Sequence, residues 1–149
     1  MSAGEYCNRD VVVVDKNESV REVAKLMRKH HVGDVVVAEK IQNKTIPLGV
    51  FTDRDIVIEI LAKDVELDAV KVGDVMSFDL VSVNENSKLL DAIKSMRIKG
   101  VRRLVVVNDN KELSGILTVD DVLELISEQL SDIVALVSKE ISKEVSTRT

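Results

Sequence analysis

The 149-residue chain is poor in aromatics, with no tryptophan, one tyrosine and two phenylalanines (Tyr6, Phe51 and Phe78). Its core must therefore be built from Val, Ile, Leu and Met. A surface that stacks single-stranded bases is excluded, because such surfaces are built on aromatic rings. Cys7 is the only cysteine, so no intrachain disulfide can form, and a reducing cytoplasm is the expected setting. No second thiol is available to a metal, and the adjacent His30 and His31 lack the spacing of a metal-ligand set. No apolar run approaches the ~20 residues of a membrane span. Residues Met1 to Asn8 contain no charged segment followed by an apolar one, so the expectation is a soluble, untargeted protein with no membrane partner. Basic excess is also missing: the formal charge is −5, which argues against nucleic acid as a partner.

What is present is a globular composition, 45% hydrophobic and 32% charged, arranged as an internal repeat. Val20, Val23, Ala24 and Met27 are echoed 69 positions later by Leu89, Ala92, Ile93 and Met96. Each set leads into a β-branched run and then a GxxTxxD segment, Gly49-Thr52-Asp55 in the first copy and Gly115-Thr118-Asp121 in the second. Two copies of one supersecondary unit bury their apolar faces against each other, so function is expected in the clefts between them.

In the first copy, Val11 to Val14 has the continuous β-branched character of a strand buried on both faces. Ser19, with Glu22 three residues on, predicts a helix opened by a capping box. Its apolar positions 20, 23, 24 and 27 follow a helical period, and Gly33 is expected to end it. Val35 to Ala38 predicts the next strand, followed by a polar loop at Gln42 to Lys44 and a third strand over Ile46 to Phe51. Pro47 suggests an edge position for that strand, since proline cannot donate to the ladder. Asp53 to Ala62 completes the unit as a helix.

The second copy repeats the order: a strand at Leu80 to Val83, a helix from Lys88 to Ile98, strands at Leu104 to Val107 and Leu113 to Leu117, then a helix from Val119. Its hairpin is three residues shorter, the kind of change a loop tolerates. Residues 63 to 75 form the link, with Val72, Val75 and Met76 expected to dock as a short turn. From Ser127 the chain exceeds what the repeat needs. Ile126, Leu130, Ile133, Val134, Val137, Ile141 and Val145 step by three and four, so the last helix carries an apolar stripe well past the unit. It either folds back over its own unit or meets a partner, and the end from Ser146 is expected to fray.

GxxTxxD at a strand-to-helix junction has two readings. Threonine as N-cap with a carboxylate three residues on is close to a capping box, and the glycine can serve close backbone packing. The alternative is a functional role for the repeated Thr and Asp.

The motif order, with Val75-Met76 entering the second copy, Gly100-Val101-Arg102-Arg103-Leu104-Val105-Val106-Val107 in its middle and Gly115-Ile116-Leu117-Thr118-Val119-Asp120-Asp121 near its end, resembles the CBS domain family. The pair resembles a Bateman module, and the likeness covers about Val11 to Leu130. It implies an α+β fold with α/β layers: two βαββα CBS repeats related by pseudo-two-fold symmetry, sheets packed face to face with helices outside, plus a C-terminal amphipathic helix. The boundaries it implies are residues 7–66 for the first repeat, 72–131 for the second and 132–149 for the C-terminal helical extension.

The resemblance further implies a non-catalytic regulatory module whose two clefts bind AMP, ADP, ATP or S-adenosylmethionine. Asp121 and Asp55 would hold ribose hydroxyls, and Thr118 and Thr52 would approach ribose or phosphate. Arg102 and Arg103 would meet phosphates. Val81 and Ile116 would enclose adenine in one unit, Val12 and Val50 in the other. Gly33 and Asp34 stand where the second copy has Arg102 and Arg103, so an acidic side chain replaces a basic one, with Arg54 as a possible compensation. Two unequal sites are therefore expected, the second-copy motif holding a phosphorylated ligand more tightly. No cofactor beyond the regulatory nucleotide is expected. A homodimer and a separate, unknown effector protein are the expected partners, because no effector domain is evident in the sequence. The alternative is a ligand-independent scaffold acting through the C-terminal helix. An enzyme is disfavoured, because Asp120 and Asp121 point about 100° apart on a helix and no histidine or cysteine accompanies the repeated segment.

Overall fold

A computed structural model describes residues 1–77 and 80–148. The elements, in chain order, are α1 (Ala3–Tyr6), β1 (Val13–Asp15), α2 (Val20–His30), β2 (Asp34–Ile41), β3 (Lys44–Thr52), α3 (Asp53–Asp55), α4 (Val72–Val75), β4 (Ser82–Asn84), α5 (Leu89–Lys99), β5 (Arg103–Val107), β6 (Leu113–Thr118) and α6 (Val119–Arg148). The helix begun by α3 continues as π-helix over Ile56–Leu61. Each copy forms a three-stranded sheet, β1-β2-β3 and β4-β5-β6, with the first pair parallel and the second antiparallel. The α+β architecture and the C-terminal helix match the expectation.

Strand alternation decides which side chains meet the helices. Val35, Val37 and Phe51 join Val20, Val23, Met27 and Ile60 in the first core, and Leu104, Val106 and Leu117 join Leu89, Ala92, Met96 and Val122 in the second. The intervening Val36, Val105 and Ile116 are also buried, on the opposite face, and β3 meets β6 between the units. Both hairpins carry a register shift, between Val37 and Ala38 and between Val106 and Val107. Pro47 pairs with Ala38 at the first shift, on the edge strand β3, where its missing N–H is tolerated.

Several local expectations are corrected. β1 covers only Val13–Asp15, and Val13 is 41% exposed, because the strand lies at a sheet edge with one face open. Gly33 does not end α2: His31 does, in the left-handed conformation at φ 52°, the position Gly100 fills at φ 65° after α5. Ser19 caps α2 by accepting from the Glu22 amide at 3.2 Å. The reciprocal half of the box is missing, because the Glu22 carboxylate accepts from Lys25 instead, at 3.2 Å.

The link is where the units exchange parts. α4 is the last part of the link and leads into the second copy, but it packs on the first core through Val72, and its Val72 and Gly73 amides donate to Glu18 and Lys16 carbonyls at 2.8 and 2.9 Å. α1 does the reverse: Ala3 is fully buried in the second core, and the Ala3 and Gly4 amides donate to Ser87 and Glu85 carbonyls, both at 2.8 Å. Each copy's leading helix therefore belongs to the other copy's packing.

α6 does not fold back over its unit. Of its 30 residues Val122 is buried, and Ile126, Leu130, Val137, Ile141 and Val145 are 50–60% exposed. The helix is continuous through Arg148, so no frayed segment begins at Ser146; Thr149 lies outside the described residues.

Candidate ligand cleft

Gly49 and Gly115 start the repeated motif because another backbone passes over each of them. A Cβ on Gly49 would stand 2.4 Å from the Ser77 carbonyl oxygen, and one on Gly115 would stand 2.4 Å from that of Asn8. The crossing segments are the ends of the exchanged helices, bridged to Val50 and Ile116. Only glycine leaves room for this approach.

Three residues on, Thr52 and Asp55 form a reciprocal cap. The Thr52 amide donates to Asp55 Oδ2 at 2.9 Å and the Asp55 amide to Thr52 Oγ1 at 3.2 Å. Thr118 and Asp121 repeat it at 3.3 and 3.1 Å. The capping reading of GxxTxxD is therefore correct in both copies. It leaves ligand chemistry open, because one carboxylate oxygen is engaged and Oδ1 accepts no hydrogen bond among the described residues.

The cleft joins the two copies. A cavity of about 250 Å³ is lined by Val50, Thr52 and Asp55 of the first unit and by Leu80, Val81, Val101, Arg102, Arg103 and Val105 of the second, with Ser77 between them. This corrects the grouping by copy: Arg102 and Arg103 share a cleft with Thr52 and Asp55, not with Thr118 and Asp121. The cause is the pairing of the sheets. The Val105 amide donates to the Val81 carbonyl at 3.0 Å, holding the segment before β4 beside β5, and β5 faces the β3 end of the other unit.

By the repeat, Val12 corresponds to Val81 and its carbonyl accepts from the Val36 amide at 2.9 Å. Ile116 is buried at 4% exposure. With Thr118 and Asp121 these residues mark the symmetry-related position, where Gly33 and Asp34 replace the arginines. Arg54 is exposed and does not line the cavity.

The two arginines are held differently. Arg103 Nε donates to Asp34 Oδ2 at 2.6 Å, with both side chains partly covered. Arg102 stands 3.6 Å from Asp120, and both side chains are more than 70% exposed, an arrangement that restrains it little. Apolar walls with a few convergent polar groups suit a small planar ligand carrying a diol and a negative charge, although a volume of about 250 Å³ falls below the usual ~300–1,000 Å³.

Ser77, Leu80, Val101 and Val105 line the cavity without carrying a motif signal of their own in the sequence. The 69-residue offset that aligns Ala3-Gly4-Glu5-Tyr6-Cys7-Asn8 with Val72-Gly73-Asp74-Val75-Met76-Ser77 is the signal that would have identified Ser77. Among the described residues no group of three or more His, Cys, Asp or Glu is placed to hold a metal ion, and no helix is long and apolar enough to cross a membrane.

The CBS domain model matches residues 3–62 and 72–128. A protein of Methanopyrus kandleri is 38% identical over 125 residues, covering 84% of this chain and 62% of that relative, so the chain spans less than two thirds of it. The structure of a CBS domain protein from Pyrobaculum aerophilum complexed with AMP is 28% identical, with a TM-score of 0.72 over 85% of this chain and 99% of that one. A CBS domain pair solved with 5-methylthioadenosine and S-adenosyl-L-methionine is 19% identical, with a TM-score of 0.73 over 87% of this chain and 98% of that one, and shares the fold.

Proposed function

The chain belongs to the CBS domain family, and on that premise we propose that it is a non-catalytic regulatory module that binds an adenosine nucleotide between its two units and signals to a separate effector protein. The carrying observation is the shared cleft: the first unit brings Thr52 and Asp55, the second Val81, Arg102 and Arg103. Val50, Val81, Val101 and Val105 take the adenine. Asp55 Oδ1 accepts from the ribose hydroxyls while Oδ2 stays on the helix cap. Arg102 swings from Asp120 onto the phosphate, where its guanidinium makes charge-assisted bonds. The AMP complex of the Pyrobaculum relative supports this choice of ligand. Binding between units makes their relative placement responsive to ligand, provided that the two arrangements differ in affinity. The reading includes a cytoplasmic homodimer.

Titration calorimetry with AMP tests it. Saturable binding, together with a thermal stabilisation equivalent to about 2.7 kcal/mol at a hundred times Kd, is the expected result. A protein indifferent to AMP, ADP, ATP and S-adenosylmethionine alike would instead be a scaffold acting through α6, the second reading, which rests on that helix's exposed apolar stripe.

A further inference from the structure

Beyond a homodimer of unspecified form, we propose that α6 pairs with α6 of a second copy in antiparallel direction. Helices in proteins owe most of their stability to packing of an apolar face, yet from Ile126 to Arg148 this one is exposed on every side. Ile126, Leu130, Val134, Val137, Ile141 and Val145 form a stripe on one face, about 30 Å long. Their spacing of four, four, three, four and four residues is the same in both directions. A reversed copy therefore brings Ile126 opposite Val145, Leu130 opposite Ile141 and Val134 opposite Val137, while the exposed Leu123 and Ile133 on the same side fall opposite Arg148 and Ser138.

The spacing admits a parallel in-register copy equally well, and charge selects between the two directions. Residues 119–133 hold Asp120, Asp121, Glu124, Glu128 and Asp132 with no lysine or arginine, whereas residues 134–148 hold Lys139, Lys143 and Arg148 against Glu140 and Glu144. A parallel pair would set the carboxylate-rich half beside its own copy. The antiparallel pair sets it beside the half that carries all the bases. Most of these charges lie away from the stripe, so they act through the field along the helix rather than by contact. The globular bodies then stand at opposite ends of the helix pair.

The test uses the full chain with Cys7→Ser. Two versions, one carrying Ile126→Cys and one Val145→Cys, are mixed, equilibrated and oxidised. The expected product is the 126–145 disulfide at roughly tenfold excess over either same-position disulfide, because a bridge needs Cα atoms within about 7 Å. Val137→Glu, at a half-exposed position away from both cores, is expected to abolish that product while circular dichroism shows the body still folded. Predominant same-position disulfides would establish a parallel pair, and absence of any α6 disulfide between copies would show that the helix does not self-associate; either result overturns the proposal. None of these readouts involves the nucleotide cleft, so they stand or fall apart from AMP binding.

Discussion

Asp34 and Arg103 occupy the same position in the two copies, 69 residues apart, and their side chains meet at 2.6 Å. The substitution that breaks the symmetry of the sequence is thus an ion pair between the units. Arg103 also lines the cleft, so Asp34 competes with a bound phosphate for its charge. Asp34→Ala is expected to tighten AMP binding several-fold by calorimetry. It should change stability by no more than about 1 kcal/mol, since both side chains are partly solvated. Weaker AMP binding in Asp34→Ala would mean that the pair orients Arg103 for the ligand rather than withholding it.

Pairing of the arginines with the first-copy motif reverses the ranking of the two aspartates. Asp55→Ala is expected to reduce AMP affinity at least tenfold, a loss of about 1.4 kcal/mol or more, while Asp121→Ala affects it less. Arg54→Ala, outside the cavity, should leave affinity unchanged. Each aspartate variant also loses a helix cap worth about 1 kcal/mol, so urea denaturation must accompany the calorimetry. Equal losses of affinity at Asp55 and Asp121 would show that the cleft is not the principal site.

The glycines separate two physical causes. Gly49→Ala and Gly115→Ala put a methyl group 2.4 Å from a carbonyl oxygen of the crossing segment. Each is expected to cost about 1–3 kcal/mol and to loosen the exchanged helix. Gly100 has open space around it but φ of +65°, so Gly100→Ala should cost only about 1 kcal/mol, from backbone strain alone. Denaturant midpoints at unchanged slope would measure the difference.

The burial of Cys7 pushes its thiol pKa above the ordinary value, and Arg9 offsets this only in part. The native state then keeps a proton that the unfolded chain releases at lower pH. Stability from this group is complete below the unfolded pKa and is lost as pH rises through the folded one. Comparison with Cys7→Ser in alkaline denaturation should show the wild type losing stability more steeply. Alkylation of Cys7 near neutral pH should be slower than that of a free cysteine.

Helical and strand periods, two capping positions and the GxxTxxD repeat were legible because they are local: a 3.6-residue stripe and a hydroxyl before a helix leave their mark within a few residues. Which halves share a cleft was not legible, because it depends on β3 facing the other unit, a relation between residues about 50 apart such as Thr52 and Arg103. Gly33 misled for a similar reason. It faces Asp53, where a Cβ would stand 3.0 Å from Oδ2, while the helix stop fell on His31, a residue with a Cβ penalty in that conformation. The exchange of leading helices left only a faint trace, the shared glycine of Ala3-Gly4 and Val72-Gly73, because four-residue helices carry almost no period of their own.

That exchange sets the final prediction. A chain beginning at Arg9 loses Ala3 from the second core together with the Ala3, Gly4 and Asn8 amide bonds to Ser87, Glu85 and Ile116. At about 1 kcal/mol per hydrogen bond, plus the cavity, the expected loss is roughly 3–5 kcal/mol. It should fall on the second unit although the deletion adjoins the first in sequence. Hydrogen exchange read by mass spectrometry is expected to show faster exchange in α5 and β6, with β2 and β3 protected as before. Protection lost first from β2 and β3 would place α1 with its own copy and refute the exchange.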